Sequence, residues 1–406
     1  MRNAKGLMIC LVDIYDWDRG GHFRSYFRIY SKLLLESGHQ VIALCGKPEE
    51  ITGWVKHNVA AEHAVNFRAY RSHKPRRLRW LPEAWGQAIS AWSRWRGLSN
   101  DIKGALQQSR AKIDGVFLMY FEDFSLQKTW ASTWIFERIF PWPWAFLSIG
   151  SPEAAHNGTL KAGFRFQLGT AKNCKGWCVL DENVYAVLKE RFPRAAVHLL
   201  PEATGEAAPD REFSVVQAAL KAARGRRIVS LLGLLERRKG LLTLVRVAKR
   251  RPDIFFLFVG PFRDGAFSEE EQRELKEFIS AVPENCLFHA ERINNESDFN
   301  GLISISDIVF TAYVNFKSGS NVMTKAALFR KPVIVTAGHL CHARVERYHL
   351  GAAIAEGSDA DCSAAIDHLL SDAGRSERRD YEGYARAMSL EGLKEKMGEV
   401  VKGFGS

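Results

Sequence analysis

An α/β chain of two Rossmann-like, doubly wound domains facing a cleft is the fold class the sequence predicts, and three observations predict it. Short apolar runs alternate with helical patterns almost from end to end, the mark of βα units around a parallel sheet. The alternation stops once, at the polar, Pro/Gly/Ala-containing stretch "PEATGEAAPDREFS" (201–214), which reads as a linker, and then resumes. The chain has 406 residues, too many for one ordinary core. These observations divide it into an N-terminal domain, 1–205, a C-terminal domain, 206–377, and a helical segment, 378–406, able to return to the first domain.

The elements follow in order. The run "LMICLVDIY" (7–15) is a first buried strand, followed by a glycine-containing loop and the helix "FRSYFRIYSKLLLESG" (23–38). There Phe27, Tyr30, Leu34 and Leu35 recur at helical spacing and Gly38 is a C-terminal stop. Further strands are expected at 40–46, 114–121, 144–150, 176–181 and 196–202, with helical segments around 84–110, 125–139 and 182–191. After the linker, strands are expected at 226–235, 254–260, 286–291, 307–313 and 331–338, and helices at 239–251, 268–282, 321–329 and 378–404. In doubly wound domains a ligand binds beyond the strand C-termini.

Composition narrows the function classes. No run of eighteen apolar residues appears, which argues against a membrane-spanning helix. The opening apolar run is followed at once by Asp13, Asp16 and Asp18 and lacks a small-residue cleavage site, so it reads as a strand rather than a signal peptide. The seven cysteines are scattered. Only Cys174 and Cys178 are close, and no second pair or His cluster completes a zinc site, so reduced, mostly buried thiols in a cytoplasmic protein are expected. A net charge of +11 favours acidic partners. The densest basic stretch, "RSHKPRRLRWLPEAW" (71–85), is either a peripheral contact with a lipid headgroup layer or a solvated loop feeding a helix. No nucleic-acid motif accompanies it, and no nucleic-acid partner is expected.

The second half carries the specific signal. "GLLERRKG" (233–240) follows a strand, Asp307 opens the strand "DIVFTAY", and "RKPVI" (330–334) follows a helix. In this order and spacing, residues 226–370 resemble the GT-B glycosyltransferases of retaining family 4, also described as glycosyl transferases group 1, and the first half resembles them more loosely. The resemblance implies a nucleotide-diphosphate sugar donor, retention of anomeric configuration and no metal or other cofactor.

The chemistry can be argued from the residues. As a glycosidic bond to a diphosphate breaks, the leaving group gains negative charge, and cations and N–H donors placed there stabilise the transition state preferentially. Lys239, at a helix start after a strand, is a catalytic and donor-phosphate candidate, with Arg237 or Arg238 as a second cation. Ser318, Gly319, Ser320 and Asn321 form the turn "SGSN" that opens the helix "NVMTKAALF". Ser320 is a good N-cap, Gly319 lets a ligand approach the backbone, and a helix N-terminus attracts phosphate. Simple capping remains the alternative reading of this turn.

Two departures from the family pattern matter. The usual Glu-x7-Glu motif is replaced by Lys317 and Lys325, and lysine cannot accept hydrogen bonds from ribose hydroxyls. Lys325 instead adds phosphate affinity or grips an acidic group. The usual arginine of the first element is Leu234.

Acceptor candidates gather in the first half. Asp16 and Asp18 form a D-x-D that could hold a metal, but they precede Gly20 and Gly21, matching the N-terminal glycine loop of GT-B enzymes rather than a metal motif. Asp18, Gly20, Gly21 and His22 are therefore acceptor-side candidates. His22 is either an acid–base group or a helix N-terminal residue bonded to backbone. Glu122, with Asp123, orients an acceptor hydroxyl or caps a helix, and Glu153 is a further candidate. The expected activity is transfer of a sugar to a glycan, a lipid-linked intermediate, a small molecule or a peptide. The alternatives are a non-catalytic protein binding a phosphorylated ligand or partner, and a nucleotide-sugar epimerase.

Overall fold

A computed structural model describes residues 6–13, 23–72, 83–120, 136–149 and 167–405. The chain divides into two compact units, one built from residues 1–201 and 390–406, the other from residues 202–389.

The first unit holds a parallel sheet with seven strands among the described residues, in the order β3-β2-β1-β4-β5-β6-β7. These are β1 (Met8–Val12), β2 (Gln40–Cys45), β3 (Phe67–Arg71), β4 (Gly115–Leu118), β5 (Trp144–Ser148), β6 (Cys174–Val179) and β7 (Val197–Leu199). The chain winds outward from β1 to β3, returns beside β1 as β4, and winds out the other way, so the order reverses between β1 and β4. Helix Phe23–Glu36 buries Phe27, Tyr30, Leu34 and Leu35, the face its periodicity marks. An aromatic cluster fills one face of the sheet. Trp95 of helix Glu83–Ser109 meets Phe136 at 4.6 Å, Phe140 at 5.0 Å and Trp144 at 5.5 Å, all near edge-to-face. Such pairs each add about 0.5–1.5 kcal/mol beyond the area they bury.

The C-terminal segment is not one helix but two, Tyr381–Ala387 and Leu390–Lys402, and the boundary between the units falls between them. The second helix packs against Phe23–Glu36 and β7. Small residues on the sheet make room for this segment: a Cβ at Gly115 would run into the ring of Phe404, and one at Gly176 would lie 2.8 Å from Val400 Cγ1.

In the second unit the sheet has six strands among the described residues, in the order β10-β9-β8-β11-β12-β13. They are β8 (Arg227–Leu232), β9 (Ile254–Val259), β10 (Cys286–His289), β11 (Ile308–Thr311), β12 (Val333–Thr336) and β13 (Gly351–Ile354). All pair in parallel. The run "IFFLFV" of β9 is buried at every position, the pattern of a strand covered on both faces. Here the order reverses between β8 and β11, the place where doubly wound sheets bind ligands beyond their strand C-termini. Among the described residues no helix is long and apolar enough to cross a membrane. All seven cysteines are buried free thiols.

Two strands were not expected from the sequence, and both lie at sheet edges. β3, "FRAYR", carries two arginines in five residues, and β13, "GAAI", offers too little apolar surface to register as a run.

Candidate functional site

The site is built on the two loops that leave β8 and β11. After β8 the backbone turns at Gly233 (φ 105°) and runs beside the loop that follows β9, where Leu235 N–H donates to Pro261 O at 2.9 Å and Arg263 N–H to Leu235 O at 3.0 Å. It then forms a short 3-10 turn, Arg237–Lys239, and enters helix Leu241–Arg250 through Gly240. Gly240 is in the left-handed region (φ 71°), and a Cβ there would collide with Ala312 O. The glycine thus lets the turn after β8 press against the loop after β11. A hydrogen bond from Val314 N–H to Arg238 O, 2.8 Å long, joins the same two loops.

Lys239 is 9% exposed. Its Nζ lies 3.8 Å from the ring centroid of Tyr313, a cation–π contact. Among the described residues its ammonium has no hydrogen-bonded or ion-paired partner. Burial, and secondarily the neighbouring Arg238, push its pKa down to about 7, against the weaker pull of Glu236, Cys341 and Glu202. The Tyr313 hydroxyl is 3.0 Å from Ser320 Oγ, and burial holds that phenol well above its ordinary pKa.

Ser320 is the N-cap of helix Asn321–Leu328 and accepts from Met323 N–H at 3.3 Å. Its carbonyl accepts from Thr324 N–H at 3.0 Å. The N–H groups of Asn321 and Val322 have no acceptor among the described residues, the usual state of a first helical turn. Lys239 and the Ser318–Asn321 turn are therefore neighbours, joined through Tyr313 at the point where the strand order reverses.

The other cations are placed differently. Arg237 is 48% exposed in its side chain and pairs with Glu271 at 3.1 Å. Arg238 pairs with Glu236 at 2.8 Å and stacks 5.1 Å from the Phe316 ring centroid. Lys317 is exposed. Lys325 is buried, and its Nζ donates to Glu296 Oε1 at 2.5 Å, Asn300 Oδ1 at 3.1 Å and Gly205 O at 3.1 Å. An ammonium has three donors, and these partners occupy all of them.

Asp16, Asp18, Gly20, Gly21, His22, Glu122, Asp123 and Glu153 lie outside the described residues, as do Lys74, Arg76, Arg77, Arg79 and Trp80 of the basic stretch. Residues that the sequence did not mark also shape the turn. Glu202 and Arg344 form a buried pair at 2.6 Å, Thr204 donates to Asn321 Oδ1 at 3.1 Å, and the Cys341 thiol donates to Ser318 O at 3.4 Å. Their signal was weak because each reaches the turn from a distant segment, Glu202 and Arg344 being 142 positions apart.

Two doubly wound parallel-sheet units, of seven and six strands among the described residues, are the GT-B class of fold, shared with the solved structures below. Within it, residues 215–388 match the family model described as Glycosyl transferases group 1. Sucrose-phosphate synthase from Thermosynechococcus elongatus is similar in structure, with a TM-score of 0.67 at 17% identity over 98% of each chain. Anabaena Alr3699/HepE, solved in complex with UDP-glucose, gives 0.64 at 13% identity, covering 98% of this chain and 99% of its own. WaaG, a glycosyltransferase involved in lipopolysaccharide biosynthesis, gives 0.58 at 14% identity over 97% of this chain and 99% of its own. Sequence comparison with curated proteins gives no match.

Proposed function

We propose that the protein is a glycosyltransferase that moves a sugar from a nucleotide-diphosphate donor to an acceptor hydroxyl, with retention and without a metal. The observation that carries this reading is the buried Lys239 ammonium, unpaired among the described residues, beside the N-terminus of helix Asn321–Leu328. A cation removed from water without a carboxylate is costly, and a diphosphate would supply the missing charge. The same position lets Lys239 and the first-turn N–H groups stabilise the departing nucleoside diphosphate as charge develops on it. The group 1 family match and the UDP-glucose complex of a structural neighbour support the same donor class.

In the retaining mechanism the acceptor attacks on the face the leaving group departs from. The departing phosphate then takes the acceptor's proton or passes it to a nearby base. His22 and Glu122 are our candidates to orient the acceptor, because they follow in sequence the two strands, β1 and β4, between which the first sheet reverses its order. The acceptor is a glycan, lipid-linked intermediate, small molecule or peptide, met in the cytoplasm, with the basic Trp-containing stretch 71–85 as a membrane-facing contact.

Lys325 favours a second reading, binding without transfer. At the position where the family resemblance expects a carboxylate, this lysine is fully engaged with Glu296, Asn300 and Gly205. Incubation with a panel of UDP-, GDP- and ADP-sugars separates the readings. Nucleotide release or transfer supports the enzyme, thermal stabilisation without turnover supports the binder, and neither response removes the nucleotide-sugar reading altogether.

A further inference from the structure

The turn Ser318–Asn321 is held at every residue. Ser318 O accepts from the Cys341 thiol at 3.4 Å, Ser320 Oγ meets the Tyr313 hydroxyl at 3.0 Å, and Asn321 Oδ1 accepts from Thr204 at 3.1 Å. Gly319 has no side chain to hold, and it rests instead on an ion pair. A Cβ at Gly319 would collide with Glu202 Oε2 and lie 2.8 Å from Arg344 Nη1. Those two groups meet at 2.6 Å with side chains only 6% and 3% exposed.

Burying two charges in this way is a poor route to stability alone, since well-packed apolar residues of similar volume serve as well or better. What an ion pair offers that apolar packing lacks is a fixed distance and direction. Glu202 opens the segment that begins the second unit, and Arg344 sits one helical turn beyond Cys341 on helix Leu340–Tyr348. Two separate elements therefore meet directly beneath one glycine.

We propose that the Glu202–Arg344 pair is a positioning brace that sets the height of the Ser318–Asn321 turn against a donor diphosphate, with Gly319 as the residue that transmits it. The proposal rests on the donor-phosphate reading above. Neither Glu202 nor Arg344 needs to touch the donor. They act through the backbone of the turn, and a side chain at the position above them would press directly on the pair.

The test uses the full chain and three variants: Gly319→Ala, Glu202→Gln, and the double variant Glu202→Leu with Arg344→Met. Inorganic pyrophosphate binding is measured by calorimetry well below each melting temperature, alongside nucleotide-sugar turnover. Gly319→Ala sets a Cβ against the pair, so that the turn and the pair can no longer rest on each other as they do. It is expected to bind pyrophosphate at least about tenfold more weakly, a shift of one decade in Kd. Transfer should be about a hundredfold slower, the scale of loss that a misplacement of roughly 1 Å brings. The double variant keeps the space filled without the charges, so it answers the question if Glu202→Gln does not fold, and the same weakening is expected.

A pair that merely stabilises the fold would lower the melting temperature and leave the pyrophosphate affinity of the folded protein unchanged. That result in Gly319→Ala and the double variant overturns the brace while leaving the donor reading intact. Wild-type protein that binds neither pyrophosphate nor any nucleotide sugar overturns the donor reading itself, and the brace with it.

Discussion

Lys239 and Lys325 are buried to nearly the same degree, 9% and 7% exposed, in the same unit, yet their surroundings differ completely. Lys325 is ringed by a carboxylate, a side-chain amide and a backbone carbonyl. Lys239 meets an aromatic face and, among the described residues, no acceptor. Burial lowers both pKa values, but Glu296 opposes the shift at Lys325, while at Lys239 the neighbouring Arg238 reinforces it. The first arrangement ties helix Asn321–Leu328 to the segment around Gly205 and to helix Glu296–Ile305. The second keeps a cation in reserve. A sequence motif that reads simply as lysine therefore says little until the acceptors around the ammonium are known.

The comparison breaks most easily at Lys239. Replacing it with Ala is expected to slow transfer about 10²–10³-fold, the usual cost of one preorganised donor at a developing negative charge, with no loss of thermal stability, since the variant also removes a costly buried cation. Unchanged turnover would remove Lys239 from the mechanism.

The pH dependence sharpens the same contrast. Because the Lys239 pKa falls from 10.5 in the unfolded chain to about 7 when folded, the unfolded state holds more protons between those values. Its contribution to stability is thus most favourable above pH 10.5, declines as pH falls from there, and is fully lost once pH reaches about 7. A bound diphosphate favours the ammonium, so above about pH 7 binding should take up a proton. Affinity should then fall by up to about tenfold per pH unit, until the pKa of the complex is reached. Calorimetry in buffers of different ionisation enthalpy reads that proton directly. No uptake at pH 8 would mean that Lys239 does not face the phosphates.

At Lys325 the expected effect is on stability. Lys325→Met leaves Glu296, Asn300 and Gly205 without their donor and should cost about 2 kcal/mol in denaturant unfolding, with pyrophosphate affinity of the folded protein retained. Lys325→Glu alone places like charges together. Combining it with Glu296→Lys should recover part of the loss, as expected of a local pair rather than a ligand contact.

The smallest effect is expected at Arg237. Its exposed pair with Glu271 should be worth no more than about 0.5–1 kcal/mol, and Arg237→Ala should leave transfer within a few-fold of wild type. A large loss there would show that the arginine leaves Glu271 to meet the donor.

Much of this was legible in the sequence, for identifiable reasons. Strands such as β9 announce themselves because both faces are covered and the run is apolar throughout. Lys239 and Ser320 could be picked out because each stands at a fixed offset from a strand or helix start. The edge strands β3 and β13 could not, since an edge needs less apolar surface. The break between Tyr381–Ala387 and Leu390–Lys402 was hidden because no Gly or Pro marks it, although the two helices serve different units. Tyr313, Glu202, Arg344 and Cys341 escaped notice because their roles come from pairings between remote segments, which leave no periodic trace.

The notches at Gly115 and Gly176 carry a consequence for biosynthesis. Residues filling them, Phe404 and Val400, leave the ribosome only after all of residues 202–389 have been made. The first sheet must therefore wait, partly uncovered, through translation of an entire second unit before its final helix can dock. Until then, the part of the sheet that Phe404 and Val400 come to cover stays open to water.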